Sequence, residues 1–231
     1  MLDVGCNFLD PTMKLFTILF TLITISSCKT ILINSMLKNP TVETTQTIKE
    51  FQTNNNFSTE NSFIIKGDNS TAIKRFLLGM AVGYYIFDKD GNHLCYNASS
   101  TCQGQQFKNL IDNKLDSFKV CKSDSINLEN ILMQTSDLNN NPVDVAKLPK
   151  TDFYVVAYWQ KFLGGKKGYN ESITWMEKEI INNDKRRFTF IKINTDLQEN
   201  WGLIAGKKAK LNWAIKGNSM TINLTDLPIK K

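Results

Sequence analysis

The 231-residue chain is poor in several residues and motifs on which enzyme sites depend. It has one histidine, His93, so any Ser-His-Asp or Cys-His catalysis must use that residue. Zinc sites built from several histidines and cysteines are excluded. The chain also lacks Gly-x-Gly-x-x-Gly and any phosphate-binding loop. We therefore expect neither a cofactor nor a metal ion, and we favour a protein that is not an enzyme.

A strong excess of one charge is missing as well. Lysine and arginine number 28 against 22 acidic residues, giving a formal charge of +6, and the basic residues lie among acidic ones. Nucleic-acid surfaces usually carry a denser basic stripe with stacking aromatic side chains beside it. We expect no nucleic-acid partner, and we interpret the charge as a solvated surface that also favours an anionic membrane.

The apolar run near the amino terminus, Leu15 to Ile25, is too short for a membrane span, which needs about 20 residues. It follows Lys14 and ends in "ISSC", the layout of a secretory signal. The ending resembles the bacterial lipobox, which implies cleavage before an acylated Cys28. We interpret residues 1–27 as leader and lipoprotein signal peptide, with Met13 as the initiator. The alternative is a buried hydrophobic helix that happens to end in cysteine.

The composition divides the remaining chain in two. Residues 28–62 are polar and rich in threonine and asparagine, which indicates a flexible, lipidated tether before a domain at 63–231. The lipobox implies a bacterial cell-envelope protein. Because Lys29 differs from the acidic retention signal of such lipoproteins, we expect a periplasm-facing location at the outer membrane.

The domain alternates helical and strand patterns, in halves at 63–140 and 141–231. The first half predicts a helix in "NSTAIKRFLLGM", a hairpin in "YYIFDKDGNHLCY" turning at Asp90-Gly91, and helices in "GQQFKNLIDNKL" and "SINLENILMQ". The second half predicts the strand "FYVVAYW", the helix "NESITWMEKEIINND", the strand "RRFTFIKINTD" and a final hairpin. Strand, helix and strand in this order imply a parallel pair.

The segment "FYVVAYWQKFLGGK", followed by a helix and by "FIKINTD", resembles the first half of thioredoxin-like proteins, in particular the membrane-tethered ones. The likeness covers about residues 143 to 200. In that family the first strand leads into a Cys-x-x-Cys pair, whose positions are occupied here by Leu163 and Lys166.

The stretch "GYYIFDKDGNHLCY" followed by "GQQFKNLIDNKL" resembles the hairpin and closing helix of the same fold's second half, although Ala81-Val82-Gly83 replace the family's cis-proline. The resemblance implies an α/β fold with a thioredoxin-like sheet flanked by helices. Because the halves stand in reversed order, the chain is either permuted or built from two degenerate halves of a duplication.

Disulfide exchange needs a thiolate and a second, resolving thiol, which leucine and lysine do not supply. The resemblance therefore implies a redox-inert module that binds a protein or peptide of the envelope, or acts as a scaffold. We expect the binding surface around the former cysteine positions, at Trp159, Phe162, Leu163, Lys166 and Tyr169.

Three cysteines remain after lipidation. We expect Cys95 and Cys102 to form a disulfide, leaving Cys121 as a free thiol or paired with a partner. The alternative function is therefore a thiol-disulfide oxidoreductase that uses Cys121 or the Cys95/Cys102 pair. A purely structural envelope lipoprotein is a third interpretation.

Overall fold

A five-stranded mixed sheet organises the residues described by the computed structural model, which are 39–81, 83–97, 102–122, 126–164, 169–216 and 219–231. The interpreted signal peptide and Cys28 lie outside these residues. The helices are α1 Thr45–Asn54, α2 Ala72–Ala81, α3 Gln103–Ile111, α4 Leu128–Met133, α5 Lys161–Gly164 and α6 Tyr169–Ile181. The strands are β1 Ser62–Ile65, β2 Tyr84–Asp88, β3 Leu94–Tyr96, β4 Phe118–Val120, β5 Thr135–Asp137, β6 Phe153–Trp159, β7 Phe188–Asn194, β8 Lys210–Lys216 and β9 Ser219–Thr225.

The strands of the main sheet follow the order β2-β6-β7-β1-β5. Strands β6, β7 and β1 are parallel, and β2 and β5 run antiparallel to their neighbours at the two edges. The parallel pair predicted from the strand-helix-strand pattern is confirmed by β6, α6 and β7. The α/β class is confirmed too, and because β2 pairs with β6, the two expected halves share one sheet.

Strand β6 lies between β2 and β7 in the main sheet, and each of its seven residues is buried. Successive side chains of a strand point to opposite faces. Val155, Ala157 and Trp159 accordingly belong to the main apolar cluster, together with side chains of α1, α3 and α6. Tyr154, Val156 and Tyr158 face the other way, and α2, which contacts β6, carries a buried Phe76 outside that cluster.

The expected flexible tether is wrong from residue 39 onward, since residues 39–62 fold as part of the domain. Helix α1 has a capping box in which Thr44 and Thr47 each accept a hydrogen bond from the other's backbone N–H, at 3.1 Å. Its Ile48 and Gln52, one helical turn apart, are buried against the sheet, as is the neighbouring Phe57. The polar composition hid this helix because only a narrow stripe of it is apolar.

Two smaller two-stranded sheets complete the fold. The turn at Asp90-Gly91 is confirmed, with Gly91 at a φ of +80°, but β3 pairs with β4 in a separate sheet. Just before β3, His93 forms an isolated bridge with Phe87 of β2. Strands β8 and β9 form the predicted final hairpin. Within the described part of the chain, no helix is both long and apolar enough to cross a bilayer.

Candidate functional site

The chain after β6 is held in place by buried polar contacts rather than by a cysteine pair. Gln160 is fully buried, and its side-chain amide donates to the backbone oxygens of Phe76, at 2.6 Å, and Thr195, at 3.2 Å. These bonds link the end of β6 to α2 and to the segment after β7. The backbone directly after β6 is therefore held by buried hydrogen bonds.

Asp196, two residues after β7, anchors the start of α5. Its buried carboxylate accepts hydrogen bonds from the backbone N–H groups of Lys161, at 2.6 Å, and Phe162, at 3.0 Å, and from the Asn194 side chain, at 2.7 Å. Burial raises the pKa of Asp196 to about 6, although these three donors pull it down, and the nearby Glu43 carboxylate raises it further. The carboxyl group therefore titrates just below neutral pH.

An ion pair extends this network to the segment interpreted as a tether. The Lys161 ammonium lies 2.7 Å from the Glu43 carboxylate, which is itself largely buried and accepts a hydrogen bond from the Thr47 hydroxyl at 2.6 Å. Residues 39–62 therefore help to build the site. Loss of that segment would remove the partner of Lys161.

An open apolar groove of about 420 Å³ lies beside this network, where the carboxyl end of β6 meets the amino end of β2. Helices α2, α3, α5 and α6 contribute to its walls. The larger apolar and aromatic residues that line it are Met80, Tyr84, Tyr158, Leu163, Ile173, Trp175 and Met176. Trp175 is 36% exposed and contacts Phe107 edge-on, so one side of its ring is fixed by the core.

Close approaches fix the shape of the groove. A side chain at Gly83 would place its Cβ 2.2 Å from the Gln103 amide oxygen, and one at Gly79 would place it 1.6 Å from the Thr195 hydroxyl. Gly79 is therefore needed for the contact between α2 and the segment after β7, whereas the flexible Gln103 side chain could move away from a Cβ at Gly83. The hydroxyl of Tyr84 donates to the backbone oxygen of Gln103, and burial raises the pKa of Tyr84. Tyr84 thus stays neutral and joins β2 to α3.

The structure describes three of the five side chains expected at the binding surface, and these three do not lie together. Leu163 lines the groove, and the half-buried Phe162 packs on Phe76 with ring centroids 5.4 Å apart. Lys166 lies outside the described residues, as does the side chain of Tyr169, the first residue of α6.

Trp159 was wrongly assigned to that surface. It is 1% exposed and lies in the core against Phe51 and Phe57, with ring centroids 5.8 and 5.6 Å away. The alternation of β6 puts it on the same face as Val155 and Ala157. A ligand in the groove cannot reach it.

The expected disulfide was also wrong. Cys95 of β3 is bonded to Cys121, just after β4, with Cα atoms 5.2 Å apart. Cys102 is exposed and lies outside this bond, directly before α3. The pairing follows from the strand register, because β3 and β4 bring residues 26 positions apart within bonding distance.

His93 completes a second cluster of chemically active side chains. Its Nδ1 lies 3.3 Å from Cys121 Sγ, and the ring packs edge-on against Tyr85, with centroids 5.1 Å apart. The sequence offered no signal for this contact beyond the spacing of His93 and Cys95, because Cys121 arrives from a distant strand. The sequence also missed Met80, Tyr84 and Met176 in the groove, since they come from three separate elements.

Comparisons with protein families, with curated proteins and with solved structures find no match for this chain.

Proposed function

We propose that this chain is a lipid-anchored protein of the bacterial cell envelope whose redox-inert, thioredoxin-like domain binds an extended peptide segment of a partner in the groove beside Leu163. The observation that carries the proposal is the groove itself. It lies where the resemblance places an active site, and its wall is apolar where a cysteine would stand.

The thioredoxin-like assignment is supported by the arrangement of the strands. Strand β6, which precedes the altered motif, is parallel to β7, and β2 of the hairpin runs antiparallel beside β6. Helix α3, the candidate closing helix, contacts α6. Strand β2 thus shares one sheet with β6 and β7 and comes first in the chain, as a permuted order requires, whereas β3 belongs to a separate sheet.

The chemistry of the groove favours binding over catalysis. Among the described residues that line it, the sulfur atoms belong to Met80 and Met176, whose thioethers cannot form disulfides. Methionine side chains adapt to differently shaped apolar ligands. A partner side chain that is aliphatic or aromatic therefore fits the groove better than a charged one.

A peptide is the favoured occupant because the groove opens next to an edge strand. Strand β2 is the last strand of the main sheet on this side, and Gly83 and Tyr84 at its start line the groove. An extended peptide can add main-chain hydrogen bonds along such an edge while one side chain enters a pocket. The groove volume of about 420 Å³ suits one or two side chains rather than a large cofactor.

The test begins with peptides selected from a display library on the full chain. Leu163→Asp should raise the Kd of the selected peptides about tenfold or more, because the charge would be desolvated in the apolar groove. The control is Ile181→Asp, which introduces the same charge at a site that is 75% exposed and does not line the groove. Equal Kd values for both variants, or no enrichment of peptides by the wild type, would rule out the groove.

The anchor is tested separately by the intact mass of protein extracted from native membranes. The proposal expects a chain that begins at acylated Cys28. A mass that retains residues 13–27 would contradict the anchor without touching the groove.

A second candidate function is thiol-disulfide exchange, now through Cys95 and Cys121. The specific observation in its favour is the exposed Cys95 in a disulfide whose other sulfur lies 3.3 Å from an imidazole nitrogen. The reduced Cys121 thiolate would attack a substrate disulfide, Cys95 would resolve the mixed disulfide, and two substrate thiols would leave. An external dithiol would then reduce the Cys95–Cys121 bond. Reductase activity that survives Cys121→Ser would exclude this route.

A further inference from the structure

The antiparallel pair of β3 and β4, between which α3 lies in the chain, gathers three side chains that are ligands for soft and borderline metal ions: His93, Cys95 and Cys121. Their ligand atoms all lie within 4.8 Å of one another. From this arrangement we propose that, once the Cys95–Cys121 disulfide is reduced, the β3–β4 pair binds a zinc ion through His93, Cys95 and Cys121. The site is separate from the groove and does not depend on the function proposed for it.

The backbone places the three ligands on one side of the β3–β4 strand pair. His93 and Cys95 are two residues apart in an extended segment, which directs their side chains to the same face. Cys121 lies directly opposite His93, since its backbone N–H donates to the His93 carbonyl at 3.0 Å. The fold therefore assembles the ligand set, because it brings Cys121 to His93 and Cys95 from 26 positions beyond Cys95 in the chain.

The distances are close to those of a shared zinc ion. Zn–N bonds of about 2.0 Å and Zn–S bonds of about 2.3 Å at a tetrahedral angle separate a nitrogen and a sulfur ligand by about 3.5 Å. The observed separation of His93 Nδ1 and Cys121 Sγ is 3.3 Å. The two bonded sulfur atoms must move apart to share the ion, which reduction of their bond allows.

The imidazole is also held in position by its neighbours. The rings of Tyr85 and Phe87 contact it with centroids 5.1 and 5.6 Å away. A ligand whose orientation is fixed by packing loses less conformational freedom when the metal binds. Three protein ligands leave the fourth position open for water, the pattern of exchangeable or catalytic rather than closed structural sites.

Zinc binding requires prior reduction, because the structure holds Cys95 and Cys121 as a disulfide. A dithiol reductant supplies two electrons and two protons to the S–S bond, yielding two thiols, and is itself oxidised to a disulfide. The exposed Cys95 gives such a reductant access. Zinc then displaces the two thiol protons and takes the neutral imidazole as its third ligand. When its surroundings become reducing, the β3–β4 pair would thus exchange the disulfide bond for a shared zinc ion.

The first test titrates the full chain with Zn²⁺ against a chromophoric chelator, without oxygen and after reduction by a phosphine. We expect the reduced wild type to bind Zn²⁺, and the oxidised wild type to lack that site. His93→Gln and Cys95→Ser should each weaken binding about 100-fold or more, since changes even to residues behind the ligands cost up to about that much. The matched control is Cys102→Ser, which removes an exposed cysteine outside the cluster and should keep the wild-type affinity.

The second test needs no variant and so does not depend on folding of a mutant chain. In the reduced wild type, Zn²⁺ should slow alkylation of Cys95 and Cys121, as read from peptide masses, while Cys102 serves as the internal reference. Equal protection of all three cysteines, or unchanged affinity in His93→Gln or Cys95→Ser, would overturn the site.

Discussion

The carboxyl end of β6 and the antiparallel pair β3–β4 differ in what their side chains can do. The end of β6 has a backbone held by buried hydrogen bonds and an open apolar groove that Leu163 lines. The β3–β4 pair has the disulfide and, just before β3, the only histidine of the chain, but it forms a separate two-stranded sheet. Geometry for recognising a partner and chemistry for sulfur or metal reactions thus lie at different places.

The difference teaches that the two sites should respond to different perturbations. The groove depends on apolar contacts and on buried hydrogen bonds that are insensitive to redox conditions. The chemistry of the β3–β4 pair depends on the oxidation state of Cys95 and Cys121. Variants that affect one site and spare the other are therefore the most informative, and those with the largest expected effect on stability come first.

Trp159→Ala should have the largest effect, because Trp159 fills the core beneath the end of β6. Removing a buried tryptophan side chain costs about 4 kcal/mol in the free energy of unfolding, through lost burial and the cavity left behind. Urea unfolding followed by circular dichroism would measure it. A loss below about 1 kcal/mol would mean that Trp159 is not packed as the structure shows, and would return it to the candidate surface.

Cys95→Ser should destabilise the oxidised protein by about 3.5 kcal/mol, the chain-entropy value for a disulfide that closes about 26 residues. Binding of a selected peptide to the remaining folded protein should not change, since the cysteines do not line the groove. Paired unfolding and peptide-binding titrations would show both effects. Loss of peptide binding at equal folded fraction would join the two sites functionally and break the comparison.

Asp196→Asn should remove a pH dependence that belongs to the groove side. Because the folded pKa of about 6 lies above the ordinary value of 3.8, Asp196 contributes stability below pH 4 that is lost as the pH rises through 6. The wild type should therefore lose about 2 kcal/mol relative to the variant between pH 4 and pH 7. A constant difference between the two unfolding curves over that range would show that burial does not govern this carboxyl group.

Cys102→Ser should have the smallest effect on unfolding, within about 0.5 kcal/mol, because this exposed residue lies outside the disulfide. Thiol titration of the unreduced, folded protein would then lose one reactive group. Should the variant instead be as unstable as Cys95→Ser, the disulfide pairing would be the one that the sequence suggested.

Sequence patterns predicted what depends on local runs. Strand β6 was found because seven consecutive apolar residues, several of them β-branched or aromatic, leave few alternatives. Helix α1 was missed because only a few of its side chains, such as Ile48, face the core, while its threonines and asparagines read as a tether. Folding of this segment is decided by contacts with distant strands, which a local pattern does not contain.

The candidate sites required long-range information. The spacing of Cys95 and Cys102 suggested a disulfide between them, whereas the β3–β4 register brings Cys121 to Cys95. Leu163 was found through its position in the motif, but its groove neighbours Tyr84 and Trp175 come from elements that only the fold brings together. The error at Trp159 was avoidable, since alternation along β6 already places it with Val155.

The account is tested most directly by mapping a selected peptide onto the full chain through NMR chemical shifts. It predicts that the largest shifts fall on Tyr84, Leu163 and the indole N–H of Trp175, and that Leu163→Asp removes them while Ile181→Asp leaves them. Shifts centred on His93 and Cys121, or unaffected by Leu163→Asp, would contradict the separation of recognition from sulfur chemistry.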